Sequence, residues 1–282
     1  MQVDLVQTTT RDGVRLDGML QRAASTANAP ADGVIFVHGT GGNFYASTLF
    51  DSLGERFLQR GCAVLRVNTR GHDGVSNAVT AKGGRRLGAA YECVDDCRHD
   101  LAAWVDYLKV NVGPRVILAG HSLGAVKCIY ALAQDATINV ERAIAISPPR
   151  LSYSWFCDNP EGPRFLESYR QADALMQAGA PNALLEVSLP LPMVITAGGY
   201  VEKYGPDERY NFLPHLRYVR MPVLLTFGGI EVANNVAFRG TPEATSSLAS
   251  DKRLLSVVTI PDADHFYTGK REELCEAIAG WL

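Results

Sequence analysis

Six short apolar runs recur along the sequence, and no other feature constrains its fold as strongly. The runs occupy residues 34–37, 63–67, 116–119, 143–146, 223–227 and 255–260. Continuous apolar strands are typical of a parallel sheet that is covered on both faces. Helical patterns lie between them; from Val94 to Leu108, apolar residues recur at spacings of three and four. The alternation predicts the α/β class, with a doubly wound, mostly parallel sheet.

The helix that contains Val94 is predicted over 91–108, and others over 46–58, 122–133 and 272–282. The start of the chain has a different pattern. Two apparent strands at 3–8 and 14–20 flank Arg11, Asp12 and Gly13, which form a turn-favouring stretch. We expect an antiparallel hairpin at one edge of the sheet.

The stretch between residues 146 and 223 breaks the alternation of strand and helix. Pro163 is expected to begin a helix there, and Gly179 and Pro181 are expected to end it. We interpret the stretch as an inserted helical lid at 150–219, which separates the two parts of a core domain, 1–149 and 220–282. The alternative is an ordinary pair of crossover helices with long loops.

Aromatic side chains are frequent in the predicted lid. Trp155, Phe156, Tyr200 and Tyr204 are candidates for shaping a substrate pocket. The alternative is that they pack the lid against the core, and the sequence favours neither role for any of them.

A Gly-x-Ser-x-Gly motif, Gly120 to Gly124, follows a predicted strand and begins a predicted helix. A sharp turn from strand to helix strains its central residue and requires small residues two positions before and after it. The hydroxyl of Ser122 is then expected at the carboxyl end of the sheet, beside a helix N-terminus that stabilises negative charge. Ser122 is therefore the candidate nucleophile; the alternative is a chance serine between glycines.

A serine hydroxyl needs a base, and the base needs an orienting carboxylate. His265 follows the last predicted strand, so its loop is expected at the same edge of the sheet as Ser122. Glu231 follows the preceding strand in the segment Gly228 to Glu231, and the order serine, acid, histidine is the one expected for this arrangement. Asp158 remains an alternative acid, because its loop is also expected to reach the histidine.

The segment from His38 to Gly42 follows another predicted strand and contains three glycines. Glycine lets the backbone turn its N–H groups toward a substrate carbonyl. The backbone N–H groups of Leu123 and Thr40 are the candidate donors of an oxyanion hole, with that of Gly41 as an alternative to Thr40. The alternative is a phosphate-binding loop, but the spacing does not match G-x-G-x-x-G and no GK[ST] follows.

Composition bears on partners and location. The formal net charge is −3 and no block of basic residues is present, so we expect no nucleic-acid or membrane partner. Cys93 and Cys97 lie four apart on a predicted helix, but no second pair completes a metal site. The chain shows no signal-peptide pattern and no apolar run of membrane-spanning length, so we expect a reduced, cytoplasmic protein. Its oligomeric state is not indicated.

Together these motifs resemble those of the α/β-hydrolase superfamily. The matching segments are VHGTGG, NTRGHD at 68–73, GHSLGA at 120–125, GGIE and DADHF, which stand in the family's order over nearly the whole chain. The resemblance is closest to lid-bearing esterases and lipase-like hydrolases. Glu231 departs from it, because aspartate is the usual acid. Arg70 and Asp73 are expected only to brace their loop.

The resemblance implies a serine hydrolase that cleaves a carboxylic ester of a small molecule through an acyl-enzyme, without a metal or organic cofactor. The same triad also serves thioesters, amides, carbon–carbon bonds and acyl transfer to another alcohol. Two other classes stay open: a non-catalytic binding protein on the same fold and a nucleotide-binding oxidoreductase.

Overall fold

A computed structural model describes residues 2–80, 83–248 and 254–282 of the chain. The described residues form these strands: β1 (Asp4–Thr9), β2 (Arg15–Gln21), β3 (Gly33–Val37), β4 (Ala63–Val67), β5 (Ser76–Thr80), β6 (Gly83–Leu87), β7 (Val116–His121), β8 (Arg142–Ile146), β9 (Leu184–Val187), β10 (Met193–Thr196), β11 (Val223–Gly228) and β12 (Leu255–Ile260). They also form these helices: α1 (Thr48–Gln59), α2 (Cys97–Asn111), α3 (Leu123–Gln134), α4 (Tyr153–Cys157), α5 (Gly162–Gln177), α6 (Ala197–Tyr204), α7 (Phe212–His215), α8 (Gly229–Asn234), α9 (Thr241–Leu248) and α10 (Arg271–Trp281).

Eight of the described strands form the central sheet, in the order β1-β2-β4-β3-β7-β8-β11-β12. β2 pairs antiparallel with β1 and with β4, and every other neighbouring pair is parallel. The six apolar runs are therefore strands of one sheet, and the N-terminal hairpin lies at its edge. The predicted mostly parallel α/β sheet is confirmed. Because its parallel strands all run the same way, their carboxyl ends share one edge.

The central strands of the sheet are covered on both faces, and β3 illustrates why such a strand is apolar. Ile35 and Val37 join one buried cluster, and Val34 and Phe36 join the other. Side chains of α2 and α3 pack on the first face, and side chains of α1 and α10 pack on the second. Alternate residues of a buried parallel strand meet different helices, so both sets are mostly apolar.

The helix predicted over 91–108 begins later in the structure, and its placement of Cys93 is wrong. A 3-10 turn at Val94–Asp96 precedes α2, and Cys93 has extended backbone angles. The Cys93 thiol donates to Glu202 Oε1 at 3.2 Å, and the Val94 N–H donates to Glu202 Oε2 at 3.3 Å. A carboxylate from α6 thus binds the Val94 N–H, which a longer helix would have directed along its own axis.

The elements α4 to α7 lie between β8 and β11, so the expected insertion is present. The helix expected from Pro163 is α5, with this proline in its first turn. The insertion is not wholly helical, because β9 and β10 form an antiparallel hairpin within it. Strands of four residues with a polar Glu186 carry too little pattern to be recognised from sequence. The domain limits at 149/150 and 219/220, and the role as a lid, stay predictions.

Candidate active site

Ser122 stands alone between β7 and α3, and its backbone is strained. Its φ is +58° and its ψ is −127°, a region that non-glycine residues rarely occupy. The flanking glycines make this turn possible. A Cβ on Gly120 would lie 2.3 Å from the carbonyl oxygen of Gly124, and one on Gly124 would lie 2.2 Å from that of Val37. The Ser122 hydroxyl is therefore held at the carboxyl edge of the sheet, where strained backbone is concentrated at functional sites.

His265 and Glu231 meet at this same edge. His265 Nδ1 lies 2.6 Å from Glu231 Oε2, and the side chain of Glu231 is only 3% exposed. Glu231 Oε1 accepts the N–H of Gly228 at 2.7 Å. Because an ionised carboxylate only accepts hydrogen bonds, the Nδ1 of a neutral His265 carries the proton and its Nε2 keeps a free lone pair.

Asp158, the alternative acid, lies just after α4 and makes no hydrogen bond with His265 within the described ranges. The carboxylate that the structure brings to the imidazole is that of Glu231.

Buried hydroxyl groups support the Glu231 carboxylate, and sequence reasoning missed them. The Ser147 hydroxyl donates to Glu231 Oε1 at 2.5 Å, and it lies 3.0 Å from the Tyr267 hydroxyl. Tyr267 in turn lies 3.0 Å from the Thr226 hydroxyl. Because the Ser147 hydroxyl already donates its hydrogen to the Glu231 carboxylate, it can only accept from Tyr267. The Tyr267 hydroxyl therefore donates to Ser147. Ser147 has a φ of +49°, a strain that nothing in the local sequence indicates.

His121 is a second residue that the sequence reasoning left without a role. Its Nε2 lies 2.8 Å from the carbonyl oxygen of His265, and the centroids of the two rings are 4.6 Å apart. Burial, together with the charge of His265, lowers the pKa of His121 to about 3. His121 is therefore neutral, and its Nε2–H donates to the backbone that carries the candidate base.

The segment after β3 approaches Ser122 closely. A Cβ on Gly39 would lie 2.9 Å from the Cβ of Ser122 and 3.4 Å from its Oγ. The carbonyl oxygen of Gly39 accepts the N–H of Gly42 at 3.1 Å and lies 2.8 Å from Nδ1 of His38. This fixes the peptide between Gly39 and Thr40. The N–H groups of Thr40 and Leu123 have no hydrogen-bond acceptor among the residues that the structure describes.

A cavity of about 400 Å³ contains Ser122 and His265 in its wall. Such a volume lies within the range of small-molecule sites. Its described lining comes from five parts of the chain: His38, Gly39, Thr40, Gly42, Asn43, Ala46, Ser47, Thr48, Leu49, Phe50, His121, Ser122, Leu191, His265 and Phe266. The segment before α1 and its first turn form most of this wall.

The four aromatic candidates of the insertion do not line this cavity, so the substrate-binding role expected for them is not supported. The Phe156, Tyr200 and Tyr204 side chains are buried in the main core cluster. Trp155 donates from Nε1 to the carbonyl oxygen of Val236 at 2.8 Å, with the Arg150 guanidinium 4.4 Å from its ring. Their positions match the alternative, packing of the insertion against the core. Large aromatic rings bury much area wherever two layers meet.

The model of the alpha/beta hydrolase family matches residues 34–277. The chain belongs to the alpha/beta hydrolase family.

Solved structures support the family fold. One similar structure is Est1E from Butyrivibrio proteoclasticus with bound ferulic acid, with a TM-score of 0.67, 19% identity and coverage of 98% of this chain and 97% of that chain. The Pyrococcus furiosus esterase Pf2001 has a TM-score of 0.63 and 20% identity, covering 100% of this chain and 90% of that chain. The alpha/beta hydrolase GrgF from Penicillium sp. sh18 has a TM-score of 0.69 and 17% identity, with coverage of 100% and 98%.

A comparison with curated proteins finds no significant match. Within the described part of this alpha/beta hydrolase, no helix combines the length and apolar character needed to cross a bilayer. The expected cytoplasmic location and the absence of nucleic-acid and membrane partners stay predictions.

In this hydrolase, the segment Asn68 to Asp73 braces the neighbouring loops. Arg70 is buried, and its guanidinium binds Asp100 at 2.8 Å and Asp12 at 2.8 Å. Asp73 Oδ1 accepts Asn43 Nδ2 at 2.8 Å, and the Asp73 N–H donates to the carbonyl oxygen of Gly42. Burial alone would raise the pKa of Asp73, but the hydrogen bonds from Asn43 and His72 hold it below its usual value. Arg70 and Asp73 thus hold neighbouring segments of the chain in place, as expected of residues that brace a loop.

A chain of buried polar groups joins the insertion to the segment around His38. Lys203 of α6 and Lys127 of α3 both bind Glu92, at 3.2 and 2.6 Å, and Lys127 also donates to the Thr69 hydroxyl. The N–H of Thr69 donates to His38 Nε2 at 3.0 Å. His38 therefore carries its proton on Nδ1, which donates to Gly39. Burial, reinforced by the charge of Lys127, lowers the pKa of His38 to about 3 and keeps it neutral.

Proposed function

We propose that this alpha/beta hydrolase is a serine hydrolase that cleaves a carboxylic ester of a small molecule through an acyl-enzyme. The observation that carries the proposal is the shared cavity. Its wall holds the strained Ser122 together with His265, whose Nδ1 is bound by Glu231. A hydroxyl, an imidazole and a buried carboxylate that binds the imidazole are the parts of a nucleophilic triad.

In the first step, Ser122 Oγ attacks the ester carbonyl carbon while His265 Nε2 takes the hydroxyl proton. The carbonyl oxygen becomes an oxyanion, and the N–H groups of Leu123 and Thr40, which have no acceptor among the described residues, donate to it. A single donor of this kind contributes about 3 kcal/mol of transition-state stabilisation. His265 then gives its proton to the leaving alcohol oxygen as the carbon–oxygen bond breaks.

In the second step, water attacks the acyl-enzyme and gives its proton to His265 Nε2. Collapse of the second tetrahedral intermediate releases the acid and returns the proton to Ser122. Glu231 holds the imidazole in its reactive tautomer and stabilises the imidazolium that forms. The steps consume only ester and water, so they require no metal or organic cofactor.

The test is hydrolysis of p-nitrophenyl butyrate, combined with labelling by a fluorophosphonate and mass spectrometry of the labelled peptide. We expect one label per chain, on Ser122, and a Ser122→Ala variant that loses at least about 10⁴-fold in kcat. Ser52→Ala, on α1 and outside the cavity wall, is the matched control and should keep both activity and label. Because Est1E was solved with ferulic acid, hydroxycinnamate esters belong in the substrate panel. Ester hydrolysis that persists in folded Ser122→Ala would refute the proposal.

A further inference from the structure

The cavity wall around Ser122 carries information about the substrate, because its described lining contains no lysine, arginine, aspartate or glutamate. We infer that the acyl group of the ester is uncharged and that Leu191, on the inserted hairpin, helps to select it. This inference rests on the proposed function and names the substrate class of the same site.

The titratable groups of the wall are histidines. Burial is the main cause that lowers the pKa of both His38 and His121 to about 3. Both are therefore neutral near pH 7. His265 is committed to Glu231 through Nδ1 and to proton transfer through Nε2. A charged acyl group would therefore lose its hydration without gaining a counter-ion, and such burial costs several kcal/mol.

The charged groups Glu231 and Arg271 lie close to the wall but outside its described lining. Glu231 binds His265, Gly228 and Ser147. The Arg271 guanidinium donates to the Thr48 hydroxyl at 2.8 Å, and Arg271 itself is outside the described lining. An acyl carboxylate or ammonium would therefore meet no counter-ion within the described wall itself.

Apolar side chains provide much of the remaining surface, beside the polar residues Thr40, Asn43, Ser47 and Thr48. Leu49 and Phe50, from the first turn of α1, are buried side chains that line the cavity. Leu191 and Phe266 also line it, but remain 45% and 57% exposed. Apolar surface that is still exposed at a cavity wall gains free energy when an apolar ligand covers it. The wall thus favours an uncharged, largely apolar acyl group.

Leu191 is the described residue through which the insertion reaches this wall. It lies in the loop between β9 and β10, while Phe156, Tyr200 and Tyr204 of the insertion are buried in the core. A change of charge at this one position should therefore alter substrate preference without disturbing the core. Leu184, on β9 of the same hairpin, is 50% exposed and lies outside the described cavity wall, so it offers a matched control.

The experiment compares kcat/KM for two pairs of p-nitrophenyl esters that differ mainly in charge. The succinate monoester is compared with the neutral 4-oxopentanoate, and the 4-(trimethylammonio)butyrate with the neutral 5,5-dimethylhexanoate. Rates measured with Ser122→Ala are subtracted, because some of these esters react without an enzyme. In the wild type, we expect each neutral ester to exceed its charged partner by about 100-fold.

Leu191→Lys should raise kcat/KM for the succinate monoester, relative to its neutral partner, by about tenfold, because it supplies a counter-ion. Leu191→Asp should instead favour the trimethylammonio ester. Leu184→Lys should leave both ratios at their wild-type values, and circular dichroism checks the fold of all three variants.

The outcomes separate this inference from the proposed function. Wild-type ratios within about threefold of one, with hydrolysis still lost in Ser122→Ala, would overturn the inference and leave the proposed function intact. Ratios that shift equally in Leu191→Lys and Leu184→Lys would overturn the assignment of Leu191. If the neutral esters are not hydrolysed and no serine is labelled, the proposed function fails, and the substrate class fails with it.

Discussion

At the scale of single residues, the glutamate at position 231 is explained by its two simultaneous contacts. It lies in the first turn of α8, and its Oε1 accepts the N–H of Gly228 just before that helix. Its Oε2 is left for His265 Nδ1. The side chain therefore turns back to the start of its own helix and still reaches the imidazole. The buried Ser147 hydroxyl completes its hydrogen bonding, as a buried carboxylate requires.

Glu231→Gln tests this arrangement in the proposed mechanism. The amide can keep the contact with Gly228 through its oxygen, but its NH₂ then faces His265 Nδ1. The imidazole would have to accept at Nδ1 and carry its proton on Nε2, which is the wrong tautomer for a base. We expect kcat for p-nitrophenyl butyrate to fall by about 10³- to 10⁴-fold with little change in stability.

Asp158→Asn is the matched control, because it changes the other candidate acid by the same chemistry. It should keep wild-type kcat. A large loss in Asp158→Asn, together with a small one in Glu231→Gln, would reverse the assignment of the acid.

At the scale of elements, the insertion is tied to the core by charge as well as by apolar packing. Glu92, in the segment before α2, lies between Lys203 of α6 and Lys127 of α3, and all three side chains are buried. Burial alone would raise the pKa of Glu92, but the two ammonium groups lower it to about 2. Gly71 leaves the space for this carboxylate, since a Cβ there would lie 1.8 Å from Glu92 Oε2.

Because Glu92 is the shared partner of both lysines, we expect two substitutions here to lower the free energy of unfolding by different amounts. Glu92→Gln leaves two buried ammonium groups without a counter-ion and should lower the free energy of unfolding by about 3–5 kcal/mol. Lys203→Met keeps the pair of Lys127 and Glu92 intact, so it should cost less than half as much. Urea denaturation, followed by circular dichroism, measures both. Equal losses in the two variants would contradict the central role of Glu92.

At the scale of the whole molecule, burial of titratable groups makes folding dependent on pH. His38 and His121 each have a pKa of about 3 in the folded chain, against an ordinary value of 6.5. The unfolded chain therefore binds protons at these residues that the folded chain excludes. Above the ordinary pKa the two histidines are neutral in both states and do not change the free energy of unfolding. As the pH falls from 6.5 toward 3, the folded state loses stability.

We expect each of these histidines to lower the free energy of unfolding by about 2 kcal/mol when the pH is changed from about 7.5 to about 5. Glu92 adds little in this range, because its contribution is lost only below its ordinary pKa of 4.5. His121→Gln keeps a donor for the His265 carbonyl oxygen but does not titrate, so it should remove about half of the pH dependence. Urea midpoints at the two pH values measure this. A wild type that is equally stable at both would contradict the prediction.

Local patterns in the sequence predicted the features that depend on nearby residues. Apolar runs predicted the strands β3, β4, β7, β8, β11 and β12 of the central sheet, because a strand that packs on both faces is mostly apolar. The glycines around Ser122 predicted its sharp turn, because no side chain fits at Gly120 or Gly124. The order of strands also predicted that His265 and Glu231 would lie at one edge, since parallel strands place their carboxyl ends together.

Only the tertiary structure decided which side chains face the cavity and which pack in the core. The same aromatic character suits either place, and so Trp155, Phe156, Tyr200 and Tyr204 were not separable from pocket residues by sequence. Ser147, Tyr267 and His121 take their roles from partners that lie far away along the chain. Side-chain direction at such positions depends on how distant segments pack against one another, and the periodicity of a local sequence does not contain that information.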